Sequence, residues 1–243
     1  MIWQQGRSVA ILSTVQPRKP ANASPYARLC LEAIAAAGLG SAISIGGAFG
    51  LSHYLEYRTT HDLDAWWTDG ATPDVRRQVV SAIEGAFRRE GTARNRSWGE
   101  VTSIELVRGG SVVFGFQVAG RSALLQAPRE GPWPGGILID SLDDLVASKM
   151  VALVERGLPR DFRDIHAVCG AGLCDPTGCW RLWEARQRAS GERADPSRAR
   201  LAISSHLARI ETARPLEGIE NADQRGQASR VRAWIKRELL GED

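Results

Sequence analysis

The sequence predicts an α+β protein in which a mixed sheet flanked by helices is followed by a helical C-terminal subdomain. Three observations predict it. A short β-like run from Ser41 to Ile45 stops at Gly46-Gly47 and feeds a helix-forming stretch, the order strand, glycine turn, helix. Further β-like segments follow at His61–Trp67 and between about 100 and 127, with Gly109-Gly110 as a hairpin turn. From Ser141 onward the apolar periodicity is helical, with no strand signal and no internal repeat.

Bulk composition bounds what such a chain can do. With 43% hydrophobic residues among 243, it can bury a real core as one large domain or two small ones. Its 31 Lys plus Arg oppose 28 Asp plus Glu, and a net charge of +3 does not by itself argue for nucleic-acid binding. Any basic surface must be local. Only Lys19, Lys149 and Lys236 are lysines, so a lysine at a chosen site draws notice. The apolar stretch Val9 to Val15 is broken by Ser13 and Thr14 and is too short for a signal peptide or a span. No later run is long enough to cross a bilayer, so the plain expectation is a cytoplasmic protein without membrane contact. Four cysteines do not suggest a disulfide scaffold.

Taken in order, residues 1–22 lack a period, contain Pro17 and Pro20, and read as a loosely held arm. Ser24-Pro25 looks like a helix start, a capping hydroxyl followed by a proline whose missing N–H costs nothing there; Gly38 and Gly40 would end that helix. After the glycine pair, Ala48 to Tyr57 can form a helix. His61 to Trp67 alternates, so Asp62, Asp64 and Trp66 share one face and Leu63, Ala65 and Trp67 the other. Thr72-Pro73 opens a helix whose Val75, Val79, Ile83 and Phe87 form one apolar stripe. Strands are expected at about 100–107, 111–118 and 122–127. The Pro- and Gly-rich loop Pro128 to Gly136 divides a sheet-bearing core, 23–136, from a helical subdomain, 137–243, with helices near 141–156, 160–169, 177–190, 196–213 and 218–240.

Two carboxylates at i and i+2 on a strand point the same way and repel unless a cation or protons lie between them. Asp62 and Asp64 therefore suggest a site for a hard divalent cation such as Mg²⁺, which prefers oxygen ligands and keeps water and phosphate oxygens as the rest of its shell. The same spacing also fits a solvated edge strand. Gly46-Gly47 would let backbone N–H groups approach a phosphate, or simply close a tight turn.

Lys149 falls at or beside the apolar stripe of Leu142, Leu145, Val146, Met150 and Leu153, where it needs a partner or must snorkel to water. Two turns on comes Arg156, then Arg160-Asp161-Phe162-Arg163-Asp164. Asp161 and Asp164 at i and i+3 share a helix face and are spaced to orient the basic side chains before them, whereas Arg163 reads as a solvated charge. His166, Cys169, Cys174 and Cys179 invite a zinc hypothesis, but their spacing is not that of common structural sites, and small apolar packing suits the cysteines better. A tryptophan beside Asp64 would suit stacking against a base.

Together, Gly46-Gly47 with Asp62-Leu63-Asp64, the run Ser141 to Lys149 through Arg156, and Arg160-Asp161-x-x-Asp164 resemble the AbiEii-type nucleotidyltransferase toxins of the DNA polymerase β-like superfamily. The resemblance covers about Ile43 to Ala167. It implies that Asp62 and Asp64 hold Mg²⁺ over a nucleoside triphosphate, that Lys149 and Arg156 bind phosphate charge beside Gly46 and Gly47, and that Asp164, assisted by Asp161, positions the acceptor or the basic residues. It further implies an RNA acceptor such as a tRNA end and a cognate antitoxin as partner. Two departures stand out. Ala48 follows the glycine pair where the family commonly has Ser or Thr. On a later strand, where many members place a third carboxylate, only Gly115 and Gln117 stand, with Glu105 on the preceding strand as a substitute. A catalytically degenerate binding or interaction module, and a transferase for a small molecule such as an antibiotic, are the alternative readings.

Overall fold

Sheet pairing in the computed structural model follows the order β3-β4-β5-β2-β1-β7-β6. The structure describes residues 15–242. The strands are β1 (Ile43–Ile45), β2 (Asp62–Trp67), β3 (Thr92–Trp98), β4 (Val101–Arg108), β5 (Ser111–Ala119), β6 (Arg129–Glu130) and β7 (Leu138–Ile139). β2 runs parallel to β5 and antiparallel to β1, and β1 runs parallel to β7, so the sheet is mixed. The architecture is α+β.

Two helices cover one face of the sheet. Helix α1 (Pro25–Ala36) starts where Ser24 accepts from the Tyr26 N–H, and α3 (Pro73–Glu90) starts where Thr72 accepts from the Val75 N–H. Both carry proline in the first turn, as their sequence signals predict. Leu31 and Ile34 of α1 and Val79, Ile83 and Phe87 of α3 bury against Leu63, Ala65, Ile104, Phe114 and Phe116 of the sheet. Fully burying side chains of this size stabilises the fold by about 1.5–3 kcal/mol each before entropy is counted. Because strand side chains alternate, the polar residues of β2 are turned to the other face.

A second cluster of buried side chains is helical: α4 (Leu142–Glu155), α5 (Pro159–Gly170), α6 (Pro176–Ala189), α7 (Pro196–Ala213) and α8 (Ala222–Trp234), the last continuing as a π-helical turn over Ile235–Leu240. The short helix α2 (Gly47–Ser52) joins the two clusters, since Phe49 belongs to the sheet core and Leu51 to the helical one. No helix among the described residues is long and apolar enough to cross a membrane.

Several elements differ from those expected. The helix after the glycine pair ends at Ser52, not Tyr57, and Tyr57 and Arg58 beyond it bond to Asp164. No strand forms over 122–127; Leu125 and Gln126 instead donate their N–H groups to the Asp144 carboxylate. The third strand of the hairpin system is β3, whose residues are almost all exposed and therefore carry no apolar alternation to read. The Pro- and Gly-rich loop Pro128 to Gly136 holds the two-residue strand β6, and β7 follows it, so the first residues of the stretch expected to be helical, 137–243, join the sheet instead. Residues 1–14 of the expected arm, and with them most of Val9–Val15, lie outside the described residues. Further along, the Arg18 N–H donates to the His53 carbonyl at 2.7 Å, Lys19 lies over the Trp133 ring, and Ala21 and Asn22 donate to the Glu56 carboxylate.

Candidate active site

Asp62 and Asp64 lie two residues apart on the face of β2 that the α1/α3 core leaves open. Asp62 is exposed and accepts from the Thr60 hydroxyl at 2.5 Å. Asp64 sits deeper, and burial, reinforced by the neighbouring Asp62 charge, raises its carboxyl above the usual range despite the opposing charges of Lys149, Arg156 and Arg160. Among the described residues no ion pair neutralises either acid.

The glycine pair is explained by what its backbone meets on β2. Gly46 donates its N–H to the Asp64 carbonyl at 2.9 Å, and a Cβ on Gly46 would fall 2.5 Å from Trp66 Nε1. Gly47 has φ +58°, and a Cβ there would lie 2.1 Å from Asp64 Oδ2. Only glycine allows the backbone to pass so close to the acid in that conformation. Ala48, next in line, is buried.

A cleft of about 730 Å³ opens between this polar sheet face and the helices α4 and α6. Gly47, Asp64, Trp66 and Gln117 line it on the sheet side, and Lys149, Arg156 and Arg186 on the helix side. Each of the three cations is backed by a fully buried carboxylate. Lys149 Nζ lies 2.7 Å from Asp164 Oδ2. Arg156 makes a two-pronged contact with Asp161 at 2.9 and 2.8 Å, and Asp161 also accepts from the Leu158 N–H. Arg186 donates to Asp144 at 3.2 Å. Held from behind, the cations lose little freedom on meeting an anion in front of them.

Asp164 gathers three side chains around it. Besides Lys149 it accepts from the Tyr57 hydroxyl at 2.6 Å and from Arg58 Nε and Nη2 at 2.9 and 3.1 Å. Burial alone would raise its carboxyl, but the Arg58 hydrogen bonds and the charge of Lys149 outweigh it and hold Asp164 below the usual carboxylate range. Asp62, Gly46, Asp161 and Asp164 do not themselves line the cleft; they adjoin or brace residues that do.

The third carboxylate is not supplied in register. Gln117 stands directly beside Asp64, and Gly115 beside Asp62. Glu105 pairs with Gly115, which leaves it two strands, roughly 10 Å, from Asp62. Among the described residues no group of three or more His, Cys, Asp or Glu is gathered to hold a metal ion. In the sequence stretch weighed for zinc, the Cys169 and Cys179 sulfurs lie 3.6 Å apart while the His166 ring packs edge-on against Trp234.

Tyr57, Arg58, Asp144 and Arg186 escaped the reading of the sequence. Arg58 directly follows the helix expected over Ala48 to Tyr57, and Arg186 is one of several arginines in an amphipathic helix, so neither residue stands out by spacing. Arg121 was missed as well: it bonds Asp140 and the Ser44 hydroxyl, and its guanidinium lies over the Trp66 ring.

No curated protein matches the chain. A solved structure of the antibiotic-resistance factor ANT(2'')-Ia overlaps 77% of this chain and 92% of its own, at 13% identity and a TM-score of 0.36, a likeness too distant to bear on this chain's chemistry. The family model for the nucleotidyl transferase AbiEii toxin, type IV toxin–antitoxin system, matches residues 29–234. With that span running from α1 to α8 and taking in the acids, the glycine pair and all three braced cations, the chain belongs to the AbiEii nucleotidyltransferase family.

Proposed function

We propose that this chain moves a nucleoside monophosphate from a nucleoside triphosphate to an acceptor hydroxyl, and that it does so as the toxin of a toxin–antitoxin or phage-defence pair in the cytoplasm. One observation carries the reading: Asp64 shares a cleft with Lys149, Arg156 and Arg186, each cation tied back to a buried acid. A triphosphate needs that combination, concentrated positive charge facing an acid pair.

The residues fit Mg²⁺ as a partial shell. Asp62 and Asp64 are hard oxygen donors on one strand face, and the raised Asp64 carboxyl marks a site where negative charge lacks compensation. Two carboxylates leave the remaining positions to water and phosphate oxygens, and when bound the ion would neutralise phosphate charge and align the reacting oxygens. In this account Lys149, Arg156 and Arg186 hold the triphosphate, and Gly46 and Gly47 keep the backbone close to Asp64. Asp164 and Asp161 position Lys149 and Arg156. The acceptor hydroxyl releases its proton to solvent as its oxygen bonds to the α-phosphorus in line, the bond to the β-phosphate bridge breaks, and the developing pyrophosphate charge falls on the cations already in place.

An RNA acceptor, with a tRNA end as one case, is supported by the sheet register. Asp62, Gly115, Glu105 and Arg94 are successive partners across four strands, as are Asp64, Gln117, Ser103 and Arg96. Residue alternation puts Trp98 on the same face of β3 as the two exposed arginines, and 54% of Trp98 is exposed. Arginines beside an exposed indole on the face that bears the acids suit a phosphate backbone with an unstacked base. A small antibiotic acceptor would have little use for them. The degenerate-module reading rests on Gln117, a neutral residue beside Asp64 where a carboxylate would strengthen metal binding. The test is to offer each of the four labelled nucleoside triphosphates with Mg²⁺ to the protein in a cell extract. Labelled RNA that disappears with Asp64→Ala, together with loss of growth inhibition, is expected. No labelled acceptor with any nucleotide, while Asp64→Ala still inhibits growth, contradicts the reading.

A further inference from the structure

On the back of α5, turned away from the ion pairs of Asp161 and Asp164, the helical cluster has a second cavity of about 320 Å³. Its floor is apolar, formed by Phe162, Leu207, Ile210 and Val231. Arg163, Arg214 and Arg232 stand around it, with Gln224 and Gln227, and no carboxylate is among the residues that line it. Arg163 Nε is buried and has no hydrogen-bond acceptor. Of the other two, Arg232 donates to the Arg214 carbonyl at 2.7 Å.

This arrangement contrasts with the cleft described above, where every cation is matched by an acid. Three arginines share this lining without a carboxylate, and a buried N–H with no acceptor is a defect that folded chains rarely keep. Guanidinium binds planar oxyanions through paired N–H groups, and an apolar floor beneath it adds a requirement for a hydrophobic body. The volume lies at the lower end of the range for small-ligand pockets. A bare phosphate backbone would leave the floor uncovered, and an uncharged hydrocarbon would leave the arginines unmatched.

We propose that this cavity is a binding site for a small amphipathic carboxylate, an aromatic or branched aliphatic group whose body rests on Phe162 and Ile210 and whose anionic end is held by Arg163 and Arg214. The site is separate from the transferase cleft and does not depend on the reading given to that cleft.

Ligand-observed NMR and calorimetry on the full chain test it with 4-phenylbutyrate, its uncharged amide, and sodium acetate as probes. The carboxylate is expected to bind with a Kd of about 1 mM or tighter. The amide and acetate should each bind about tenfold more weakly, since each lacks one half of the interaction. Arg163→Gln and the exposed Arg214→Gln should each weaken the carboxylate by a similar factor, with unchanged melting in its absence. Equal binding of carboxylate and amide, equal binding of acetate, an affinity untouched by both substitutions, or no binding at all overturns the proposal.

Discussion

Lys149 Nζ meets Asp164 Oδ2 at 2.7 Å inside a pocket where Asp164 also takes hydrogen bonds from Tyr57 and Arg58. The two residues are not equivalent. Asp164 has no exposed surface and serves three donors, while Lys149 reaches the cleft. Asp164→Ala should therefore cost about 3–5 kcal/mol, because it leaves a buried lysine, a partly buried arginine and a hydroxyl without their acceptor. Lys149→Met should cost much less, since Arg58 and Tyr57 still satisfy the acid. Urea denaturation of both variants checks the order, and equal losses contradict it.

Asp64 should behave in the opposite sense. A carboxyl whose folded pKa lies above its unfolded value favours the fold only while protonated, and that contribution is lost as pH rises through the folded pKa. Without metal, an ionised Asp64 is a burden on the fold. Asp64→Asn should raise the melting temperature by roughly 2–4 °C, the shift about 1 kcal/mol produces in a chain of this size. The gain should shrink as pH falls toward the ordinary carboxylate pKa. A melting temperature lowered at neutral pH contradicts this account of the site.

Much of this was legible in the sequence, and the reasons for the rest are physical. Capped, proline-opened helices such as those at Ser24 and Thr72 announce themselves because the signal is local. The strand of Asp62 and Asp64 is readable because one of its faces is buried and alternation survives. β3 is not readable, since an exposed edge strand has no such constraint. Of the site, Lys149 draws notice as a rare lysine at an apolar stripe, and Asp161 and Asp164 by their shared face. Arg186 and Asp144 come together across 42 positions, which no local pattern encodes.

His53 offers a test of the packing beside the sheet core. Its Nε2 accepts from Trp133 Nε1 at 2.7 Å and its Nδ1 faces the Phe49 carbonyl at 2.9 Å, so the ring is neutral with its proton on Nδ1. Burial lowers its pKa from 6.5 to about 4, against smaller opposing contributions from backbone carbonyls. The unfolded chain then takes up this proton first. The contribution is complete above pH 6.5 and is lost as pH falls toward about 4, by roughly 3 kcal/mol in total. Urea midpoints across that window should fall more steeply in the natural chain than in His53→Gln, and parallel curves contradict the assignment.

If folding joins the β2 acids and Lys149 into one holder for a metal-bound triphosphate, nucleotide affinity depends on both. Calorimetry with non-hydrolysable analogues of the four nucleoside triphosphates, with and without Mg²⁺, measures this directly. For at least one nucleotide, binding should require Mg²⁺, weaken about a hundredfold in Lys149→Met, and lose its Mg²⁺ dependence in Asp64→Asn. Nucleotide binding that is indifferent to both substitutions contradicts the claim.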